Sequence, residues 1–404
     1  MGALTRAFPP ELVDSVVTTT DTREQRKRLL PARLMVYFVL ALWLFRGPNC
    51  GYGHVLTKLV DGLYHRRRGQ ELLDGVLDPD GWVDAGGGRR WRPPNISSLA
   101  RARTRLGADP LHMLFDAVAG PTGAVDTAGV FCVGLRVVSV DGSSTDLPDS
   151  TANAEHFGRP GNATRAGAFP QVRWLAAAES GTGALIAATI GPYTVGEQTL
   201  ARDLLPALGP GMLTLARPEL SVPHPGPRRA GHRGAPAVAG LGVVRAAPGR
   251  GARRRHLPGR AGSDPQGRRA ADHRARGRVH RAHHPQRHRR VTGSECFALV
   301  TDLLDVEAYP ALDLACAYPK RWGAETVIGH HKTDLGAGMA VLPSLTPEGV
   351  AQEMWALFAV YQAIHIVIGA AVEATGIPPD RVSFPHALAA VTDTVTAGFP
   401  PSPA

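Results

Sequence analysis

The sequence predicts an α/β fold behind a helical N-terminal domain, on three observations. Apolar residues through the first 125 or so positions recur at helical spacing. From residue 134 the period becomes that of strands, with a hairpin signal at Gly181-Thr182-Gly183. A last apolar stretch, from about Pro347 to Thr375, reads as one long helix.

In chain order, Pro31 opens a helix over "PARLMVYFVLALWLFRGPN" that stops at Gly47-Pro48. Val55, Leu56, Leu59, Val60 and Leu63 form the stripe of a second helix. A third starts at Ser97/Ser98 and ends at Gly107, a residue suited to the turn after a helix. It brings Arg101, Arg103 and Arg105 near one another, which reads as a solvated face before it reads as a phosphate contact. "GLRVVSVDG" is then a strand ending in Asp141, and 171–180 and 184–193 are the two strands of the hairpin. A helix from about Gly196 to Leu208 precedes the strand "MLTLA". Further on, "SECFALVTDLL" supplies a strand and "AYPKRWGAETVIGHHKTDLG" a helix. The expected divisions are 1–125, a helical domain, and 126–216, the first part of the core. An aberrant segment spans 217–293, the last part of the core with its C-terminal helix spans 294–392, and a tail spans 393–404.

Hydrophobic content of 44% suits a chain that buries a real core. The four cysteines, Cys50, Cys132, Cys296 and Cys316, are scattered with no C-x-x-C pair. That argues against a zinc site or disulfide framework and for the reducing cytoplasm. No apolar signal core stands at the N-terminus. The run 34–45 is too short to span a bilayer. The run 354–372 is long enough, but it carries Gln362 and His365 and lacks a basic flank, so it reads as a core helix and no membrane is expected. The net charge of +10 is unevenly placed. Residues 217–290 hold 19 arginines, no lysine and three acids, a net +16 that leaves −6 for the rest. A nucleic-acid footprint therefore does not follow from the isoelectric point alone.

The informative constellation is Tyr318-x2-Arg321-x3-Glu325-x6-Lys332. At about 100° per residue these four side chains fall within an arc of roughly 60°. A phenol, two cations and a carboxylate on one stripe make a polar site, with Trp322, Val327 and Ile328 on the apolar side. This spacing resembles the Y-R-E-K signature of DDE transposases of the insertion-sequence-four group. "PPELVDSVVTTTDTREQRKRLLPARLMVYFVLALWLF" is similar to that group's N-terminal helical domain, and "VSVDGSSTDLPDS" to its first catalytic strand, with Asp141 at the aspartate position. The resemblance covers about 1–216 and 294–392.

It implies a ribonuclease-H-like catalytic core, which the order of three strands, a helix and a fourth strand also fits. It implies cut-and-paste DNA transposition by two-metal phosphoryl transfer, with Mg²⁺ as the ion and Mn²⁺ able to replace it. Asp141 and Glu325 would be the catalytic metal ligands, while Tyr318, Arg321 and Lys332 would hold phosphates of the transposon end. Transposon-end and target DNA are the implied partners, a homodimer on DNA the implied assembly, and the cytoplasm, with the nucleoid, the implied location.

The resemblance places a second aspartate just after the fourth strand, at position 217, and position 217 is Arg. From there to 290 the chain has no Lys, Ile, Phe, Tyr, Trp, Thr, Asn, Cys or Met. Such a stretch lacks the apolar bulk to offset ordering entropy, so it is expected to be disordered. The vocabulary is that of GC-rich DNA read out of frame. Arg217-Pro218-Glu219-Leu220 can be encoded so that omitting the first base gives Asp-Arg-Asn-Phe. The same offset over Arg278 to Gln286 gives Glu-Tyr-Thr-Val-His-Thr-Thr-Pro-Asn, a plausible strand. A frameshift from about 217, repaired shortly before Ser294, is the preferred reading, and it predicts an enzyme inactive as written. The alternative is a non-catalytic DNA-binding protein with a disordered basic linker. A His-rich metal module fits poorly, because the eight histidines of 217–290 show no regular ligand spacing. His330 and His331 read as surface or DNA-facing residues, and Cys316 as a small core residue.

Overall fold

Proline and glycine punctuate the N-terminal helices. The computed structural model describes residues 2–26, 28–47, 51–64, 83–86, 89–91, 94–162, 165–217, 239–245, 278–282, 297–301, 303, 305–336 and 341–397. Helix α1 is Gly2–Ala7, and Pro10 opens α2 (Pro10–Thr19). Pro31 stands at the N-cap of α3 (Ala32–Leu44), as its place in the sequence predicts, and α4 is Tyr52–Tyr64. A short hairpin, β1 (Val83–Gly86) and β2 (Arg89–Trp91), interrupts the stretch expected to be wholly helical. Helix α5 (Ile96–Leu106) is capped by Asn95, whose side chain accepts from the Ser98 amide at 2.7 Å, so the cap lies ahead of the serines. Helix α6 (Asp109–Val118) follows.

The three arginines of α5 do not share one solvated face. Arg103 is buried between α4, its own helix α5 and the long helix Pro347–Thr375, donating to Tyr52 Oη at 2.6 Å, Gln352 Oε1 at 2.6 Å and Glu353 Oε1 at 2.9 Å. Arg105 donates to the Leu30 carbonyl at 3.0 Å, and Arg101 is exposed.

An eight-stranded sheet forms the centre. Its strands are β3 (Phe131–Cys132), β4 (Leu135–Asp146), β7 (Gln171–Glu179), β8 (Leu185–Pro192), β9 (Met212–Ala216), β10 (Ala239–Arg245), β11 (Arg278–Ala282) and β12 (Phe297–Thr301). Helix α7 (Thr151–Phe157) and the small hairpin of β5 (Gly161–Asn162) and β6 (Arg165–Ala166) lie between β4 and β7. The strand order is β11-β12-β10-β9-β4-β7-β8, with β3 on β4. Strands β4, β7 and β8 are antiparallel in turn, whereas β9 runs parallel to β4 and β10 parallel to β9. Helix α8 (Glu197–Leu204), extended by a 3-10 turn at Leu205–Ala207, crosses between β8 and β9.

Two pieces of the segment expected to be disordered, β10 and β11, are strands of this sheet. Residues 239–245 are that segment's most apolar run, and the parallel edge of β9 offers unpaired backbone groups to it. Backbone pairing outweighs composition there. Apart from Arg217, the rest of that segment lies outside the described residues.

Alternation along the strands sends side chains to two packed faces. Leu175 and Ala177 of β7 meet Leu200 and Leu204 of α8. Trp174 and Ala176 join the main core with α11 (Pro347–Thr375). On β4 and β9, Val137, Leu213 and Leu215 face α9 (Ala311–Ala317). Helix α11 has the bounds expected from sequence, and Val350 to Ile364 is almost wholly buried, so the long apolar run is a core helix. Helix α12 (Phe384–Ala397) closes the described chain and runs into the stretch expected as a tail from 393.

Candidate metal-carboxylate site

Asp141 does not end its strand. Strand β4 continues to Asp146, paired with β7, while β9 stops at Ala216. The carboxylate therefore sits where a parallel neighbour ends, a place where open α/β sheets leave a crevice. It shares a face with Val137 and Ser139, and the Ser139 hydroxyl donates to the Lys320 carbonyl at 3.2 Å. Gly142 is required here by packing: a Cβ would lie 2.9 Å from both Leu175 Cγ and the Trp174 carbonyl. Asp141 is 3% exposed, and its Oδ1 accepts from the Gly142 amide at 2.9 Å.

Arg217 reaches that same oxygen. Its Nε donates to Asp141 Oδ1 at 3.0 Å and its Nη2 donates there as well. The strand register explains the meeting. Arg136 pairs with Met212 and Ser139 with Leu215 on the parallel neighbour. Continuing that register past the strand end sets position 217 beside 141, on the same face.

The helical stretch after α9 supplies the other side, and it is not one uniform helix. Tyr318–Arg321 is a 3-10 turn, Trp322–Gly329 is α10, and His330–Leu335 is a π turn. In a 3-10 turn side chains three apart eclipse, so the Arg321 guanidinium lies 5.9 Å from the Tyr318 ring centre. Arg321 is buried, donates to Glu325 Oε1 at 3.1 Å, and has its Nη1 3.8 Å from Asp141 Oδ2. Arg217, Asp141, Arg321 and Glu325 thus form one continuous ionic chain.

Lys332 lies apart from it. The change of helical pitch at the π turn removes the uniform 100° step on which the single stripe rested. Lys332 is exposed and lines a cavity of about 360 Å³ with Trp43, Arg46, Thr145 and Trp174. No hydrogen bond or ion pair joins it to the other four. The cavity residues come from α3 and the turn after it, β4, β7 and α11, and no sequence signal linked them to Lys332.

His330 and His331 are not both surface residues. His331 is buried, stacks on Tyr361 at 4.3 Å and bonds the Val327 carbonyl through Nδ1 at 2.7 Å. Burial pushes its pKa down to about 4. His330 stacks on Phe384 at 4.2 Å, and burial lowers its pKa too. Cys316, by contrast, is exposed.

Residues 1–116 match the family model of the insertion element 4 transposase N-terminal domain. The chain is also 25% identical over 393 residues to the transposase InsG for insertion sequence element IS4 of Escherichia coli K12, spanning 93% of this chain and 78% of that protein. The chain is thus similar, over nearly its whole length, to a transposase of the insertion-sequence-four group. A further relative, the candidate transposase InsZ of the same organism, is 31% identical over 120 residues, 30% of this chain and 40% of that one.

The carboxylate donor set at this site is short. A pair of divalent ions needs several carboxylate oxygens converging on one place. Among the described residues no three His, Cys, Asp or Glu side chains gather closely enough to hold a metal. The two candidate acids are instead joined through guanidinium groups. The residues present do not fit a two-ion centre, and no catalytic step is assigned through one.

Proposed function

We propose that this protein recognises transposon-end DNA but neither nicks nor joins it, because its phosphoryl-transfer centre is incomplete. The observation that carries this reading is the Arg217 guanidinium on Asp141, at the register position where the group's second aspartate is expected. A ribonuclease-H-like core is supported by the antiparallel run β8, β7, β4 continued by parallel β9 and β10. In a complete enzyme of this kind, Asp141 and Glu325 would be the catalytic ligands of Mg²⁺ or Mn²⁺. Tyr318, Arg321 and Lys332 would meet end phosphates. Their present geometry leaves Lys332, exposed beside Arg46, free of the ionic chain to do so.

The gene carries a base gained near codon 217, with the frame restored shortly before Ser294. The parent enzyme would act as a homodimer bridging two ends before joining them to target DNA, in the cytoplasm with the nucleoid. Sequencing the coding DNA tests the frameshift: codons that do not yield Asp-Arg-Asn-Phe at the offset frame refute it.

Function is tested with the purified chain and the terminal repeats flanking its own gene. Retention of end DNA over scrambled DNA, with no nicked product in Mg²⁺, is the expected result. Nicking would sink the claim of inactivity. Equal, steeply salt-dependent binding of scrambled DNA would instead favour a second reading, a sequence-blind DNA-binding protein acting through the 19 arginines of 217–290.

A further inference from the structure

We infer that Arg217 is a built-in counter-ion that takes the place of a metal at Asp141 and makes this carboxylate site independent of divalent cations. The inference rests on the proposed function only in taking an acid as the expected residue at 217. Everything else is local geometry. A carboxylate that is 3% exposed cannot remain charged without a compensating partner. Asp141 Oδ1 receives two donors from Arg217 and the Gly142 amide, and Oδ2 faces Arg321 Nη1 at 3.8 Å. Glu325, the other acid, is held by the same Arg321.

Both carboxylates therefore already have cationic partners, and those partners are covalently part of the chain. A divalent ion approaching Asp141 would have to displace one guanidinium and then sit beside another, and like charges at contact distance repel strongly. Arg217 supplies one positive charge and two donors to a single oxygen. With the Gly142 amide, that occupies Oδ1 with three N–H donors and leaves Oδ2 facing the Arg321 cation, where a second positive ion is disfavoured. The position also predicts its own reversal. An acid at 217 would stand beside Asp141 just past the end of the parallel strand β9, and a half-exposed acid against a buried one would need an external cation.

The test uses the full chain as wild type, Arg217→Asp and Arg217→Ala. Thermal melts in EDTA and in millimolar MnCl₂ are paired with Mn²⁺ binding followed by electron paramagnetic resonance. The wild type should melt within about 1 °C in the two conditions and bind no Mn²⁺ at this site. Both variants should melt lower in EDTA. Arg217→Asp should recover on the order of 5 °C in MnCl₂, as expected for a ligand well above its dissociation constant, and show a bound-Mn²⁺ signal. If Arg217→Asp does not fold without metal, Arg217→Ala still tests the inference through its lowered EDTA melt. Mn²⁺ bound by the wild type with a raised melting temperature would overturn it, as would an unchanged EDTA melt for Arg217→Ala. End-DNA binding by the wild type in EDTA is scored separately. Its failure sinks the proposed function and leaves the counter-ion standing.

Discussion

Arg103 shows how one residue can change its meaning between sequence and structure. On the helix "LARARTRLG" it is one basic residue among three, yet it alone turns inward. Its three guanidinium nitrogens all donate, Nε to Gln352, Nη1 to Tyr52, and Nη2 to acceptors shared among Ser344, Gly349 and Glu353. Removing the cation would strand the Glu353 carboxylate in the interior. Arg103→Leu should therefore cost about 3–5 kcal/mol in urea unfolding, and Arg103→Leu/Glu353→Leu clearly less than the single change. A single-variant loss below about 1 kcal/mol would show that the pair holds nothing together. Asp141 follows the same rule in a different place: a buried charge is intelligible only together with its partner.

At the scale of the element, α11 explains why an apolar helix carries glutamines. Gln362 Oε1 accepts the Leu185 amide of β8 at 2.7 Å, and its Nε2 donates to the Val118 and Gly120 carbonyls at 3.2 and 3.0 Å. Gln352 does the same at the other end, donating to the Gly107 carbonyl at 2.6 Å. These side chains satisfy buried backbone groups of neighbouring elements, which costs less than leaving them bare. Gln362→Leu would look favourable by hydropathy, but it should destabilise by about 2–4 kcal/mol because it orphans an amide and two carbonyls. Equal or greater stability in chemical denaturation would disprove that account. The stretch from Tyr318 to Leu335 carries a related lesson. Its residue types were readable as a polar site, but its pitch was not, because the 3-10 and π turns that redirect Tyr318 and Lys332 are set by packing against β4 and α11.

Across the whole molecule, pH should act through imidazoles in the main core. Burial holds His331 near 4 and His365 near 3, so both are neutral in the folded chain. In the unfolded chain they protonate below about 6.5, the ordinary histidine value. Unfolding therefore takes up protons as the pH falls, and stability should drop between pH 6.5 and about 3, with full strength above 6.5. Melting temperatures at pH 7.5 and 5 should differ less for His365→Phe than for the wild type. An undiminished difference would place the acid sensitivity elsewhere.

Sequence alone determined the helical or strand period of the main elements outside the Tyr318–Leu335 stretch, the bounds of α11, the polar types gathered near Tyr318 and the absence of an acid at 217. These follow from local spacing and composition, which act within a few residues of the chain. Tertiary structure decided that Arg217 lies on Asp141, that Arg103 and His331 are interior, and that β10 and β11 join the sheet. Each depends on what a distant segment presents across a strand register or a helix face, and that physical neighbourhood is created only by folding.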